Sequence, residues 1–212
     1  MNESQLHEHI YARSVGLIAG GSTEILLGPG DDAAVTRSTT GDISLLTVDQ
    51  VVEGRHFTSD TDINLIARKA IARSVSDIAA MGGEPSWALA TGVLPKDYPQ
   101  SDELFDALSR WAKHWNCPLI GGDIATHGST DHPLTLTVTV GGTMQRGSTP
   151  VLRSGARDGD MLYLTGPVGD SFNSSHHLNF EPRVNAGLWA SKNSVHAMMD
   201  ISDGLGRDSH RI

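Results

Sequence analysis

Cysteine is almost absent: the 212 residues include one, Cys117. A single thiol excludes intrachain disulfides and cysteine-clustered zinc, and leaves Cys117 as an expected small buried residue. Basic runs are absent too. Sixteen Lys and Arg stand against 25 Asp and Glu, a formal net charge of −9. The electropositive footprint on which nucleic-acid binding rests is therefore missing. No apolar run approaches the roughly 20 residues of a membrane-spanning helix. Met1-Asn2-Glu3-Ser4 also lacks the basic-then-apolar layout of a signal peptide, so the expected compartment is the cytoplasm. Gly-x-x-x-x-Gly-Lys-Ser/Thr, a loop that cradles phosphates, occurs nowhere in the chain. Any phosphate chemistry must then be organised by other means. Hydrophobic residues make up 38% and aromatic residues 5%, which suits one large domain or two modest α/β units.

Aspartate, by contrast, recurs in one kind of setting. Gly28-Pro29-Gly30-Asp31-Asp32-Ala33-Ala34-Val35 places two adjacent carboxylates after a tight glycine turn and before an apolar stretch. Asp49, Asp77, Asp123, Asp200 and Asp203 each stand next to glycine or at the end of an apolar run. If they converge, the repulsion is large: two unit charges about 4 Å apart cost roughly 4 kcal/mol at an effective dielectric near 20. Hard divalent cations are the natural partners, Mg²⁺ first, and Mg²⁺ held by a few carboxylates commonly goes on to hold substrate phosphates. Gly28-x-Gly30-x-x-Ala33 also fits a loose dinucleotide fingerprint. Asp31 and Asp32 argue against that reading, because they would meet an anionic pyrophosphate without a metal between them. A surface turn with solvated aspartates is the plain alternative for this motif alone.

Along the chain, residues 3–18 read as a helix, and His7-Glu8-His9 is no metal site because residues two apart do not share a helix face. Residues 25–27 and 43–48 read as strands, the second ending at Asp49, which could equally be a cap or turn residue. His56, beside Arg55, is either an anion ligand or a packed histidine. A helix begins at Thr61-Asp62 and stops at Gly82-Gly83. Arg73 precedes Asp77 by four residues, which predicts a helical ion pair, yet Asp77 lies at the unfavourable end of the helix dipole. Residues 87–93 predict a strand and 101–116 an amphipathic helix whose Trp111 and Trp115 are packing residues. An apolar run, 118–123, ends in Gly121-Gly122-Asp123, and 134–140 alternate with the period of two of a half-buried strand. A boundary is expected near 141–150. Beyond it, 161–165 and 195–199 read as strands and 184–192 as a helix. Arg153 is a candidate phosphate contact or a surface charge. The Asn173-Ser174-Ser175 glycosylation match and the His176-His177 pair are expected to be chance.

In order and at comparable spacing, these stretches resemble the thiamine-monophosphate kinase family, of the superfamily that includes aminoimidazole ribonucleotide synthetase and selenophosphate synthetase. The elements are Gly30-Asp31-Asp32-Ala33-Ala34-Val35, Thr47-Val48-Asp49, Val52-Glu53-Gly54-Arg55-His56-Phe57 and Ser76-Asp77-Ile78-Ala79-Ala80-Met81-Gly82. Gly121-Gly122-Asp123, Arg153-Ser154-Gly155-Ala156, Gly169-Asp170-Ser171 and Asp200-Ile201-Ser202-Asp203-Gly204-Leu205 follow. The resemblance implies an α/β fold: an N-terminal mixed sheet flanked by helices over residues 1–145, forming a homodimer through its sheet, and an incomplete C-terminal α/β domain over 146–212. It implies ATP-dependent phosphorylation of thiamine monophosphate to thiamine diphosphate. Asp32, Thr47, Val48, Asp49, Asp77, Asp123, Asp200 and Asp203 would hold several Mg²⁺ ions, with Asp49 and Asp77 catalytic and Val48 offering only its carbonyl. Gly122, Asp123, Arg153 and Ser202 would contact ATP, and His56 the thiamine monophosphate. Strand 134–141 would lie in the dimer interface, with Val138→Asp as its test. The alternatives are a non-catalytic nucleotide-binding relative and another ATP-using synthetase of the superfamily.

Overall fold

The computed structural model describes residues 5, 6, 9, 10, 12 and 23–212. The helix expected over 3–18 and the Gly20-Gly21 break lie outside the described residues, apart from those five N-terminal positions. Strands β1 (Glu24–Leu27), β2 (Ala34–Arg37), β3 (Ile43–Val52), β4 (Glu84–Leu94), β5 (Leu119–Thr126) and β6 (Thr135–Thr143) form one sheet. Its order is β1-β2-β3-β6-β4-β5. Only β4 and β5 run parallel. That pair needs a crossover, which helix α2 (Ser101–His114) supplies.

Helix α1 (Ile63–Ala80) is the centre of the core. Asp62 caps its start, its carboxylate accepting the Asn64 N–H at 2.9 Å. At its end Gly82 adopts φ +77°, and the Gly82 and Gly83 N–H groups donate to the carbonyls of Ala79 and Ile78, each at 3.0 Å. A side chain at Gly82 would be strained there. Ile71, Val75 and Ile78 of α1 are fully buried, as are Leu45 of β3 and Leu104 and Leu108 of α2. Each such side chain contributes about 1.5–3 kcal/mol on burial. Cys117 is buried as expected. Trp111 and Trp115 stack at 5.3 Å and pack over Arg68, in the structural role anticipated for them.

The alternation in β6 settles which face meets the helices. Leu136, Val138 and Val140 are buried, and the Ser74 hydroxyl of α1 donates to the Val138 carbonyl at 2.9 Å. Thr135, Thr137 and Thr139 lie on the opposite face, which neither α1 nor α2 covers. Val138 is thus a core residue at 1% exposure, so it is not a probe of an interface on the open face.

Residues 146–212 form short pieces: 3₁₀ turns at Arg153–Gly155 and Ser209–Arg211, and helices α3 (His176–Asn179), α4 (Val184–Ala190) and α5 (Leu205–Asp208). The strands expected over 161–165 and 195–199 do not form. A strand exists through its ladder, and among the described residues no strand lies alongside either run. Met161, Leu162 and Tyr163 are instead exposed, at 74, 65 and 76%. This half docks on α1 through Arg68, which donates to the Leu178 carbonyl at 3.1 Å and to Glu181 at 2.9 Å, while Trp115 Nε1 donates to Glu181 at 2.8 Å.

Val138→Asp, by burying an unpaired carboxylate, should abolish the cooperative thermal transition followed by circular dichroism. Thr139→Asp, one residue on and facing the other way, should keep it. Equal melting of the two variants would contradict the assignment of the faces.

Candidate functional site

Three separate stretches bring carboxylates to the end of α1. Asp32 comes from the glycine turn before β2, Asp77 from the last turn of α1, and Asp200 from the segment before α5. Each offers an oxygen within 4.8 Å of the other two. Thr47, an inward-facing residue of β3, donates to Asp77 at 2.5 Å. The Ser76 hydroxyl donates to Asp200 at 3.2 Å. Asp49 lies two residues beyond Thr47 on the same side of β3 and adds its charge to those of Asp77 and Asp200.

Burial, together with Asp49 and Asp200, holds the Asp77 carboxyl well above the usual carboxylate range. Burial first, and then the charges of Asp32 and Asp49, push Asp200 up to about 7. Asp32 is raised by burial, against the opposing pull of Arg153. The field here is therefore negative and undercompensated. Arg153 offsets part of it: its guanidinium pairs with Asp32 and lies 3.6 Å from Asp31, while its backbone N–H donates to Asp31 at 3.0 Å. Asp32 Oδ2 is buried with no hydrogen-bond partner. Hard oxygen donors, raised proton affinities and an orphaned carboxylate oxygen together fit Mg²⁺.

Other expected residues stand apart. Val48 is 62% exposed, its side chain on the open face of the sheet, so the missing hydroxyl there takes no side-chain donor from the cluster. Asp123 also faces away, in a register row that runs Gln50, Thr137, Thr91, Asp123 across the open face. Gly122 faces Ala90 of β4, where a Cβ would come within 1.8 Å of the Ala90 carbonyl oxygen; close strand approach is enough to require glycine. Asp203 pairs with Arg207 at 3.7 Å and Arg211 at 3.1 Å, outside the cluster. His56 accepts the Val52 N–H on Nδ1 at 2.9 Å, and burial with the nearby Arg73 and Lys69 charges depresses it to about 4.

Arg73 is a correction. It does not pair with Asp77 along the helix but donates across to Asp49 at 2.9 Å, both side chains being about a quarter exposed or less. The roles of three residues escaped the sequence reading. Ser76 stood there only as part of the Ser76–Gly82 motif, and Lys69 carries no signal beyond helical spacing. Asp208 is almost fully buried, and its Oδ2 accepts the N–H groups of Ser202, Asp203 and Gly204 at 3.0, 2.8 and 3.0 Å. It thereby shapes the loop that follows Asp200; an acid a few residues past an Asp-Gly turn was its only trace.

The description "AIR synthase related protein, N-terminal domain" fits residues 30–144. A thiamine-monophosphate kinase from Rhodopirellula baltica is 35% identical over 201 residues, 89% of this chain and 61% of that relative. The chain thus spans about three fifths of that relative's length. A thiamine monophosphate kinase structure from Aquifex aeolicus is 26% identical with a TM-score of 0.78, over 99% of this chain and 72% of that one. A structure described as AaThiL complexed with AMPPCP and TMP has a TM-score of 0.77 at 26% identity, over 99% of this chain and 68% of that one.

The protonation pattern predicts opposite pH effects. Asp200 binds its proton more tightly when folded, so its contribution to stability is complete below about 3.8 and lost as pH rises through about 7. His56, depressed to about 4 from 6.5, contributes above 6.5 and loses that contribution as pH falls through 4. Without divalent cations, the melting temperature should fall between about pH 6 and 8 less in Asp200→Asn than in the unaltered chain. Mg²⁺ should raise it more at the higher pH. Equal pH profiles for the two proteins would contradict the cluster's electrostatics.

Proposed function

Because this chain belongs to the AIR synthase related family, on its thiamine-monophosphate kinase branch, we propose that it transfers the γ-phosphoryl group of ATP to thiamine monophosphate, yielding thiamine diphosphate. The observation that carries the reading is the convergence of Asp32, Asp77 and Asp200 on one point beside Asp49. These four would hold Mg²⁺, which when bound neutralises phosphate oxygens of the two substrates. Asp123 and Asp203 join that set only if the segments that carry them turn toward it, and Val48 only through its carbonyl. The relative described with AMPPCP and TMP supports the choice of a nucleotide and a thiamine phosphate as the pair.

The chain's own groups then do three things. Thr47 and Ser76 fix the orientation of the Asp77 and Asp200 carboxylates through the bonds at 2.5 and 3.2 Å. Arg153 supplies a permanent positive charge next to Asp31 and Asp32, where it can turn to an ATP phosphate; the planar fork of a guanidinium suits that role. His56 stays neutral and offers an N–H to the acceptor. Direct transfer asks for no covalent nucleophile, since alignment and charge neutralisation carry phosphoryl transfer. Gly122 and Ser202 complete the proposed nucleotide contacts. The open sheet face, with Val48, Thr139 and Leu89 in one register row, is the proposed homodimer surface, and 1–145 and 146–212 the proposed domain division in a cytoplasmic enzyme. A side chain of Val48 directed to that face weakens one argument for a non-catalytic relative.

Asp49→Asn should reduce thiamine-monophosphate-dependent ATP turnover by at least about 100-fold while the melting curve stays near that of the unaltered chain. Near-normal turnover would contradict the assignment. Light scattering should find Thr139→Asp monomeric and the unaltered chain dimeric; a dimeric variant would remove the open face from consideration.

A further inference from the structure

Met81 stands one helical turn past Asp77 and is fully buried, and the aspartate cluster does not account for its sulfur. As the C-cap of α1 it keeps a backbone close to helical, with φ −97° and ψ 3°, so its side chain leaves the helix on the face that carries Asp77. There its Sδ accepts the N–H of Ala33 at 3.1 Å. That N–H belongs to the peptide group that joins Asp32 to Ala33, and Ala33 is buried. A buried N–H needs an acceptor, and the one it has here is a thioether, ordinarily a weak one.

The backbone of the same residue holds a second segment. Its carbonyl accepts the Val151 N–H at 3.2 Å. Two residues on, the Arg153 N–H donates to Asp31 at 3.0 Å and the Arg153 guanidinium pairs with Asp32. The contacts therefore close on themselves, from the Met81 sulfur through Ala33, Asp32 and Asp31 to Arg153, and through Val151 back to the Met81 carbonyl. The end of α1, the glycine turn before β2 and the segment at 151–153 are all held to one residue. Sulfur suits that place for an electrostatic reason. A carboxylate there would add another negative charge beside Asp32, Asp77 and Asp200, whereas a thioether accepts the N–H without formal charge and packs as an apolar side chain. The orphaned Asp32 Oδ2 gives the bond a purpose. An unpartnered oxygen stays open to a cation only while the peptide behind it cannot turn toward another donor.

We infer that Met81 is a positioning residue of the aspartate centre: through its sulfur and its carbonyl it fixes Asp32 and Arg153 relative to Asp77, and so sets the affinity of the cluster for a divalent cation. The inference rests on the metal-assisted reading above and adds to it the group that sets the spacing between carboxylates from distant stretches, Ala33 and Met81 being 48 residues apart. Met81 is itself no ligand of the ion. Its effect passes through Asp32.

Met81→Leu in the full chain conserves the volume and the backbone carbonyl and removes the acceptor, so the cooperative melting transition should survive. Mn²⁺ titrated alone, with the free ion counted by electron paramagnetic resonance, should bind this variant about tenfold more weakly than it binds the unaltered chain. The Ala33 amide should exchange its hydrogen at least about tenfold faster in the variant. Selenomethionyl protein, which keeps a soft acceptor in that place, should match the unaltered chain in both measurements. Unchanged Mn²⁺ affinity in folded Met81→Leu, or unchanged exchange at Ala33, would overturn the proposal. So would an Ala33 amide that exchanges freely in the unaltered chain, a measurement that needs no variant. No Mn²⁺ binding by the unaltered chain would count against the metal reading of the cluster, and exchange at Ala33 would then decide the positioning bond by itself.

Discussion

Asp32, Asp77 and Asp200 repel one another across less than 5 Å, and the rest of the structure has to hold them against that force. Two of them sit on rigid supports: the last turn of a buried helix and the tight turn leading into β2. The third follows a segment without regular structure, and there Asp208 takes over, gathering three successive N–H groups on one oxygen. Charge-assisted bonds of this kind contribute about 1.5–3 kcal/mol each, enough to fix a loop that carries like charge toward like charge. Arg153 relieves part of the strain at Asp31 and Asp32. It cannot relieve Asp77, whose raised proton affinity records what remains uncompensated.

The same helix carries charges of both signs. On α1 the sequence runs from cation to carboxylate, Lys69 and Arg73 before Asp77, against the order that the helix dipole favours. Packing supports the arrangement, since the apolar faces of α1 are buried against β3, β6, β4 and α2 and leave the polar stripe at the end of β3. Arg73 bridges from this stripe to Asp49 on β3, so helix and sheet position the charges together.

Much of this was legible in the sequence, and for definite reasons. Helix α1 has a capping Asp62 and a terminating Gly82, and β6 has a clean alternation, so local chemistry specified both. The recurrent aspartates, next to glycine or at the ends of apolar runs, announced a cluster, and those at 32, 77 and 200 do converge. What misled was pairing read at helical spacing: Arg73 finds Asp49 because a β3 carboxylate lies closer to its guanidinium than the side chain one turn on. Residues 161–165 and 195–199 have strand composition but no ladder, and composition alone cannot supply a neighbour. The facing of β5 was equally hidden, because a run such as Leu119-Ile120-Gly121-Gly122-Asp123 has no alternation from which to read its register.

The central claim is that these carboxylates need a divalent cation before they can receive a polyphosphate. Isothermal titration of the full chain with a non-hydrolysable ATP analogue, in Mg²⁺ and then in a chelator, tests it most directly. The account predicts a binding isotherm in Mg²⁺ that disappears in the chelator. Nucleotide binding of equal strength in both would contradict it, since without a divalent cation the aspartates repel the phosphates.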